Sequence, residues 1–345
     1  MHEQNSQPII PVLSLLRLVR IFISELGYNI MKASETLHYS SMSQDELVSI
    51  SKCLLLAIRK SDSVFTVTPT DSIEEKDERG LLVDIMEEQQ KRLQHDVTLK
   101  SLQQLFENGK KAFWINIYNS FLQLRLRDHY RQQQQNKGDA STTTTSATPG
   151  SWYTTRNIPI GGRLFSLDDV EHGILRKYRW KYLYGYLPHL PMVWCTPIPK
   201  LAVKSLDCRI HFALNCGAKS CPPIACYSAE KIDIQLDQAT RTFLKQETVM
   251  AYTTQEIRIS KIFYWYYGDF GGKRGIHELL EKYCLDSSVH GGETGPNSTS
   301  EHDKTVEAGV TRDFRLVYKS FSWEQNAHNY AFSPEDISSS HTSQM

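Results

Sequence analysis

The stretch Asp207–Tyr227, DCRIHFALNCGAKSCPPIACY, restricts the fold more than any other part of the chain. Ile210, Phe212 and Leu214 alternate with His211, Ala213 and Asn215. A period of two predicts a strand, with His211 and Asn215 on the face opposite the apolar trio. The run Asn215-Cys216-Gly217-Ala218 predicts a turn that ends it. Pro222-Pro223 then bars a helix and holds Ser220 and Cys221 extended, because proline restricts its own φ and the residue before it. One short loop thus carries two thiols, a lysine and a hydroxyl beside an imidazole.

A second constraint is AFWINIYNSFLQLRL, residues 112–126. Phe113, Ile117, Phe121 and Leu124 share one helical face, and Trp114, Tyr118 and Leu122 another. A helix apolar on most sides is a central one. Asn116 and Asn119 are the exceptions, three residues apart and so on one face. Buried amides need partners. They either tie down neighbouring backbone or orient a catalytic group.

Around these two stretches the pattern predicts an α+β fold, helices packed about a small, mostly antiparallel sheet. Strands are expected near Ile158, Ile210, Val249, Ile257 and Phe314, with IPIGGRLF forming a hairpin about Gly161-Gly162. Helices are expected to be capped at Ser43, Ser166 and Ser228, the first two with an acidic residue three positions on. Leu15, Leu16, Val19, Ile23, Leu26 and Ile30 mark a further amphipathic helix, read mainly as packed on the domain and otherwise as a partner-binding or membrane-surface helix. Thr66 to Gly80 reads as an acidic loop. The expected organisation is an N-terminal helical region over 1–80 and a core domain over 81–331. Low-complexity insertions at 132–150 and 286–312 and a disordered tail over 332–345 complete it.

Composition narrows the function. Thirty-nine basic and thirty-nine acidic residues cancel, which argues against a nucleic-acid binder. No apolar run is long enough for a transmembrane segment. Seven cysteines are too few for a disulfide scaffold and odd in number, which points to the cytoplasm and reduced thiols.

Three chemistries fit the loop. In a thiol hydrolase or acyl-transfer enzyme, Cys221 or Cys216 is the nucleophile and His211 the base, with Asn116 or Glu171 holding the imidazole. Lys219 and the amides of Gly217 and Ala218 would favour a thiolate. Cys221 is favoured, since the prolines present it and Cys216 sits at a strand end. A strand-borne His suits a papain- or transglutaminase-like scheme, by analogy of fold only. A metal site fits poorly: His211, Cys216, Cys221 and Cys226 recur every five residues, without the tight pairs zinc uses, so neither metal nor cofactor is expected. The competing reading is a non-catalytic interaction or scaffold module, reached by a protein partner through the N-terminal helices. His172, adjacent to Glu171 on a helix, is read as a structural partner of Arg176 or a neighbouring element. Lys261 and Asp269 are second-rank site candidates.

KAFWINIYNSF, IPIGGRLFSLDDVEHGILR, RIHFALNCGAKSCPPIACY, ISKIFYWYYGDFGG and VYKSFSWEQN occur in this order. Together they resemble the domain-of-unknown-function family 547, over about residues 110–326. The resemblance implies a stand-alone, bacterial-type architecture and no agreed activity. Relatives that carry the domain behind leucine-zipper, glutaredoxin or signalling modules imply interaction or regulation as much as chemistry. The family's closing motif is usually Tyr-Asp-Trp-Ser-Leu-Asn. Here Phe321 to Asn326 reads FSWEQN, so an aspartate of that motif is absent.

Overall fold

The computed structural model describes residues 42–64, 73–136, 149–180, 184, 186–188, 196–285 and 313–323. The N-terminal amphipathic stretch, the segment 286–312 and the tail lie outside these residues. Helix α1 (Gln44–Val64) starts where the Ser43 hydroxyl accepts the Glu46 amide, the cap read from the sequence. Its apolar residues Leu47, Ile50, Leu54 and Ile58 face α2 (Ile73–His95) and α4 (Glu107–Asn136). The expected acidic loop up to Gly80 is therefore helical from Ile73 on, and the division at residue 80 falls inside α2. Tertiary cover by α1 stabilises that charged segment as helix despite its weak apolar stripe. Helix α3 (Leu99–Gln103) is closed by a reciprocal box, in which Thr98 and Ser101 each accept the other's backbone amide.

Helix α4 is the centre of the molecule. Phe113, Trp114, Ile115, Ile117, Tyr118, Phe121 and Leu122 are all buried, as expected of a helix apolar on most sides. It continues through Asn136, into the stretch read as an insertion, and α5 (Pro149–Thr154) begins before that stretch ends. Strands β1 (Ile158–Ile160) and β2 (Arg163–Phe165) pair antiparallel across Gly161-Gly162, both at positive φ. That is the two-residue hairpin turn that glycine permits. The Gly161 amide donates to Leu93 O and fastens the hairpin to α2.

After β2, Ser166 and Asp169 cap each other and open a π-helical turn, Asp169–Leu175, that points Glu171, His172 and Arg176 inward. Helix α6 (Ile198–Leu201) follows, and then the 3-10 turn Cys208–Phe212. This turn replaces the strand expected at Ile210. Asp207 caps it by accepting the Arg209 amide, and Arg209 is ion-paired to Asp207, Asp233 and Asp237. Local capping and tertiary ion pairs outweigh an alternation only three residues deep.

Helix α7 (Ile232–Glu247) starts three residues later than a Ser228 cap would place it. The Ser228 amide instead donates to the Gln235 side chain. Strands β3 (Val249–Ala251), β4 (Glu256–Ile259) and β5 (Arg315–Tyr318) form a small sheet in that order. The β3–β4 pair is antiparallel and β4–β5 parallel. Helices α8 (Ile262–Trp265) and α9 (Gly272–Leu280) complete this end. The fold is thus α+β, with two small sheets that are mostly antiparallel, as the sequence pattern predicts.

Among the described residues two large apolar clusters fill most of the interior, beside a small third one of Leu55, Ile224 and Cys226. One joins α1, α2, α4, the hairpin and the π-helical turn. The other joins Phe212, α7, the three-stranded sheet, α8 and α9. Ile210 belongs to the first and Phe212 to the second, so His211 lies at the seam. No helix among the described residues is long and apolar enough to cross a membrane.

Candidate functional site

At the seam, His211 Nε2 lies 2.9 Å from Asp269 Oδ2. The imidazole stacks on Tyr266, with ring centroids 3.9 Å apart, and leans on Phe270. Arg176 grips the same carboxylate from the other side, Nε to Oδ2 at 2.5 Å and Nη2 to Oδ1 at 3.1 Å. The side chains of Arg176 and Asp269 are fully buried. Arg179, a third exposed, lies 3.8 Å from Asp269 and carries the cluster to the surface. The Arg176 guanidinium also sits over the Tyr266 ring, and its Nη1 is 2.7 Å from His172 Nδ1. This is the structural partnership with Arg176 that the sequence suggests for His172.

Glu171 stands one layer away and accepts the hydroxyls of Tyr118 and Tyr266. Burial alone would raise its carboxyl, but His172, Tyr266 and Arg176 more than offset it and hold it below the ordinary range. Burial and the Glu171 charge push the Tyr118 and Tyr266 hydroxyls well up, so both stay protonated donors.

Asp269 follows the same logic. Burial opposes its charge, yet the hydrogen bonds from His211 and Arg176 hold it down at about 2. Burial lowers His211, against the pull of Asp269, so the ring is neutral near pH 7. An ionised carboxylate only accepts, so neutral His211 must donate from Nε2. The lone pair that can take a proton is then on Nδ1.

The other sequence candidates fall elsewhere. Asn116 accepts the Tyr227 amide and donates to Tyr227 O, at 2.9 and 2.8 Å. Asn119 does the same for Asn215 N and Ala213 O, both at 3.0 Å. Each amide mimics a peptide neighbour, and together they staple the two ends of the loop to α4. The imidazole is held by Asp269, not by Asn116 or Glu171. Lys219 is exposed at the loop tip.

Two further expectations are overturned. Cys216 and Cys221 are joined in a disulfide, so the chain does not hold seven free thiols. Composition gives only an average over compartments, whereas the loop brings these two Cα atoms within 6.2 Å. The presentation of the pair is also reversed: Cys221 is buried and Cys216 half-buried. Between them Gly217, at φ +81°, packs on Leu126 of α4, where a Cβ would sit 2.7 Å from that side chain.

Of the buried cluster, His211 and Glu171 are legible from the sequence as site residues, and Asp269 as a second-rank one. Arg176 and Tyr266 were missed as site residues. The signal that could have found them is charge set among apolar and aromatic residues, Arg176 with Glu171 and His172 in VEHGILRKY and Asp269 beside Tyr266 in YYGDF, where a core alone would need none. Among the described residues, no group of three or more His, Cys, Asp or Glu side chains is placed to hold a metal.

No curated protein and no solved structure matches the chain. A family model does match residues 102–244, which include Glu171, Arg176, His211 and both loop cysteines and stop short of Tyr266 and Asp269. With that match the chain resembles the family described as protein of unknown function, DUF547.

Proposed function

We propose that the seam cluster is an acid–base centre for hydrolytic or acyl-transfer chemistry. The observation that supports this is the His211–Asp269 pair, with its carboxylate clamped by Arg176 inside the protein. A buried ion pair is rarely worth its desolvation for stability alone, since well-packed apolar residues usually serve as well. Perturbed titratable groups gathered in one place are the common mark of a reactive centre. His211 Nδ1 is the base, Asp269 fixes the tautomer, and the Arg176–Asp269 bonds hold the geometry. His172, Tyr266 and Arg176 keep Glu171 ionised beside it. In the thiol-dependent form of this reading, Cys221 or Cys216 attacks once their disulfide is reduced, and Lys219 favours the thiolate.

The test is a panel of chromogenic ester, thioester and amide substrates, with the protein reduced and oxidised. Turnover of one class, lost in His211→Gln and strongly weakened in Asp269→Asn while both variants stay folded, is the expected result. No turnover of any class, with His211→Gln leaving cysteine labelling rates unchanged, would remove the reading.

An interaction module is the second reading, favoured by one observation. Tyr184, Tyr264 and Tyr318 form one edge-to-face row, and Trp265, Phe321 and Trp323 a second cluster. Tyr184, Tyr264 and Trp323 are exposed. Binding of a protein partner that is lost in Trp323→Ala and kept in His211→Gln would favour it over chemistry.

A further inference from the structure

We infer that Cys216–Cys221 is a reversible dithiol–disulfide site with fixed roles, Cys216 the sulfur attacked and Cys221 the sulfur that leaves. Four observations carry this, none of which depends on His211 turning over a substrate. Access separates the two residues, since Cys216 is half-buried and Cys221 only 6% exposed. A donor waits for the leaving group: the Cys216 amide lies 3.2 Å from Cys221 Sγ. The loop does not need the disulfide to keep its shape. Asn215 Nδ2 donates to Pro222 O at 2.7 Å, spanning the same residues the disulfide spans, and Asn215 Oδ1 takes the Gly217 amide. Asn119 then locks Asn215 to α4. Finally, Lys219 is exposed at the loop tip between the cysteines, a positive charge that favours an incoming thiolate.

The co-reactant is a dithiol. Its first thiolate attacks Cys216 Sγ and forms a mixed disulfide. The bond to Cys221 breaks and its electron pair stays on Cys221 Sγ, where the Cys216 N–H stabilises the thiolate before it takes a proton. The second thiolate attacks the reagent's own sulfur, closes a cyclic disulfide and releases Cys216 as thiolate, which is then protonated. Two electrons and two protons pass from the dithiol to the protein. The reverse reaction uses a small disulfide as oxidant. Because the asparagine clamps keep the sulfurs adjacent, closure is intramolecular and stays fast.

The experiment uses the full chain under native conditions with dithiothreitol, then iodoacetamide and peptide mass analysis. Opening without denaturant, recovery of both cysteines as alkylated peptides, and reclosure with oxidised glutathione are expected. Oxidised glutathione should then form a mixed disulfide with Cys216 in Cys221→Ser at least about tenfold faster than with Cys221 in Cys216→Ser. If either variant fails to fold, brief reduction of the wild type by a monothiol should trap its mixed disulfide at Cys216. Opening only in denaturant, equal or reversed rates, trapping at Cys221, or two free thiols that oxidised glutathione cannot close would each overturn the assignment.

Discussion

His211 and Asp269, fifty-eight residues apart in the chain, meet at 2.9 Å between the two large apolar clusters of the fold. The 3-10 turn supplies the imidazole and the aromatic run after α8 supplies the carboxylate. Phe212, next to His211, and Phe270, next to Asp269, pack together in one of these clusters, so the pair forms where that cluster closes. Arg176, from a third segment, closes the same contact.

Removing Asp269 strands the Arg176 guanidinium, which has no exposed surface. Asp269→Ala should cost about 3–5 kcal/mol in urea unfolding, because an uncompensated buried charge is worse than none. The double variant Arg176→Met with Asp269→Leu should recover most of that loss. A double variant as unstable as Asp269→Ala would mean the pair contributes stability in its own right.

Stability should fall as pH falls, in two windows. His211 is lowered from 6.5 by burial, so below about pH 6.5 the unfolded state takes up a proton that the folded state resists. Asp269 is lowered from 3.8 to about 2, so its contribution is complete above pH 4 and drains away as pH drops towards 2. Thermal melts across pH 2–8 of wild type and His211→Gln test this. The variant should show a flatter profile between pH 5 and 7 and keep the acid limb. Parallel curves would sink the assignment of the first window to His211.

Asn119→Ala leaves Asn215 N–H and Ala213 C=O without their side-chain partner in the interior. A loss of about 2–4 kcal/mol is expected from two buried groups left unpaired. Asn116→Ala should behave alike at Tyr227. Amide hydrogen exchange gives a local reading: protection at Asn215 should drop in Asn119→Ala and persist in Asn116→Ala. Loss of both together in either variant would show that the staples do not act separately.

What the sequence by itself determined was local in origin. The buried helix follows from apolar residues on most sides of residues 112–126, the hairpin from a Gly-Gly pair that readily takes two positive φ values, and the Ser43 and Ser166 caps from side chains three residues from their targets. The two asparagines were legible as buried amides needing partners, since that need holds whatever the fold. Tertiary structure decided the rest. Whether residues 208–212 extend or turn depended on Arg209 reaching Asp233 and Asp237, far along the chain. The joining of Cys216 and Cys221 depended on the loop bringing their Cα atoms within 6.2 Å. The partner of His211 could not be read from spacing, because Asp269 lies fifty-eight residues on and only the packing of Phe270 against Phe212 brings a carboxylate to the imidazole.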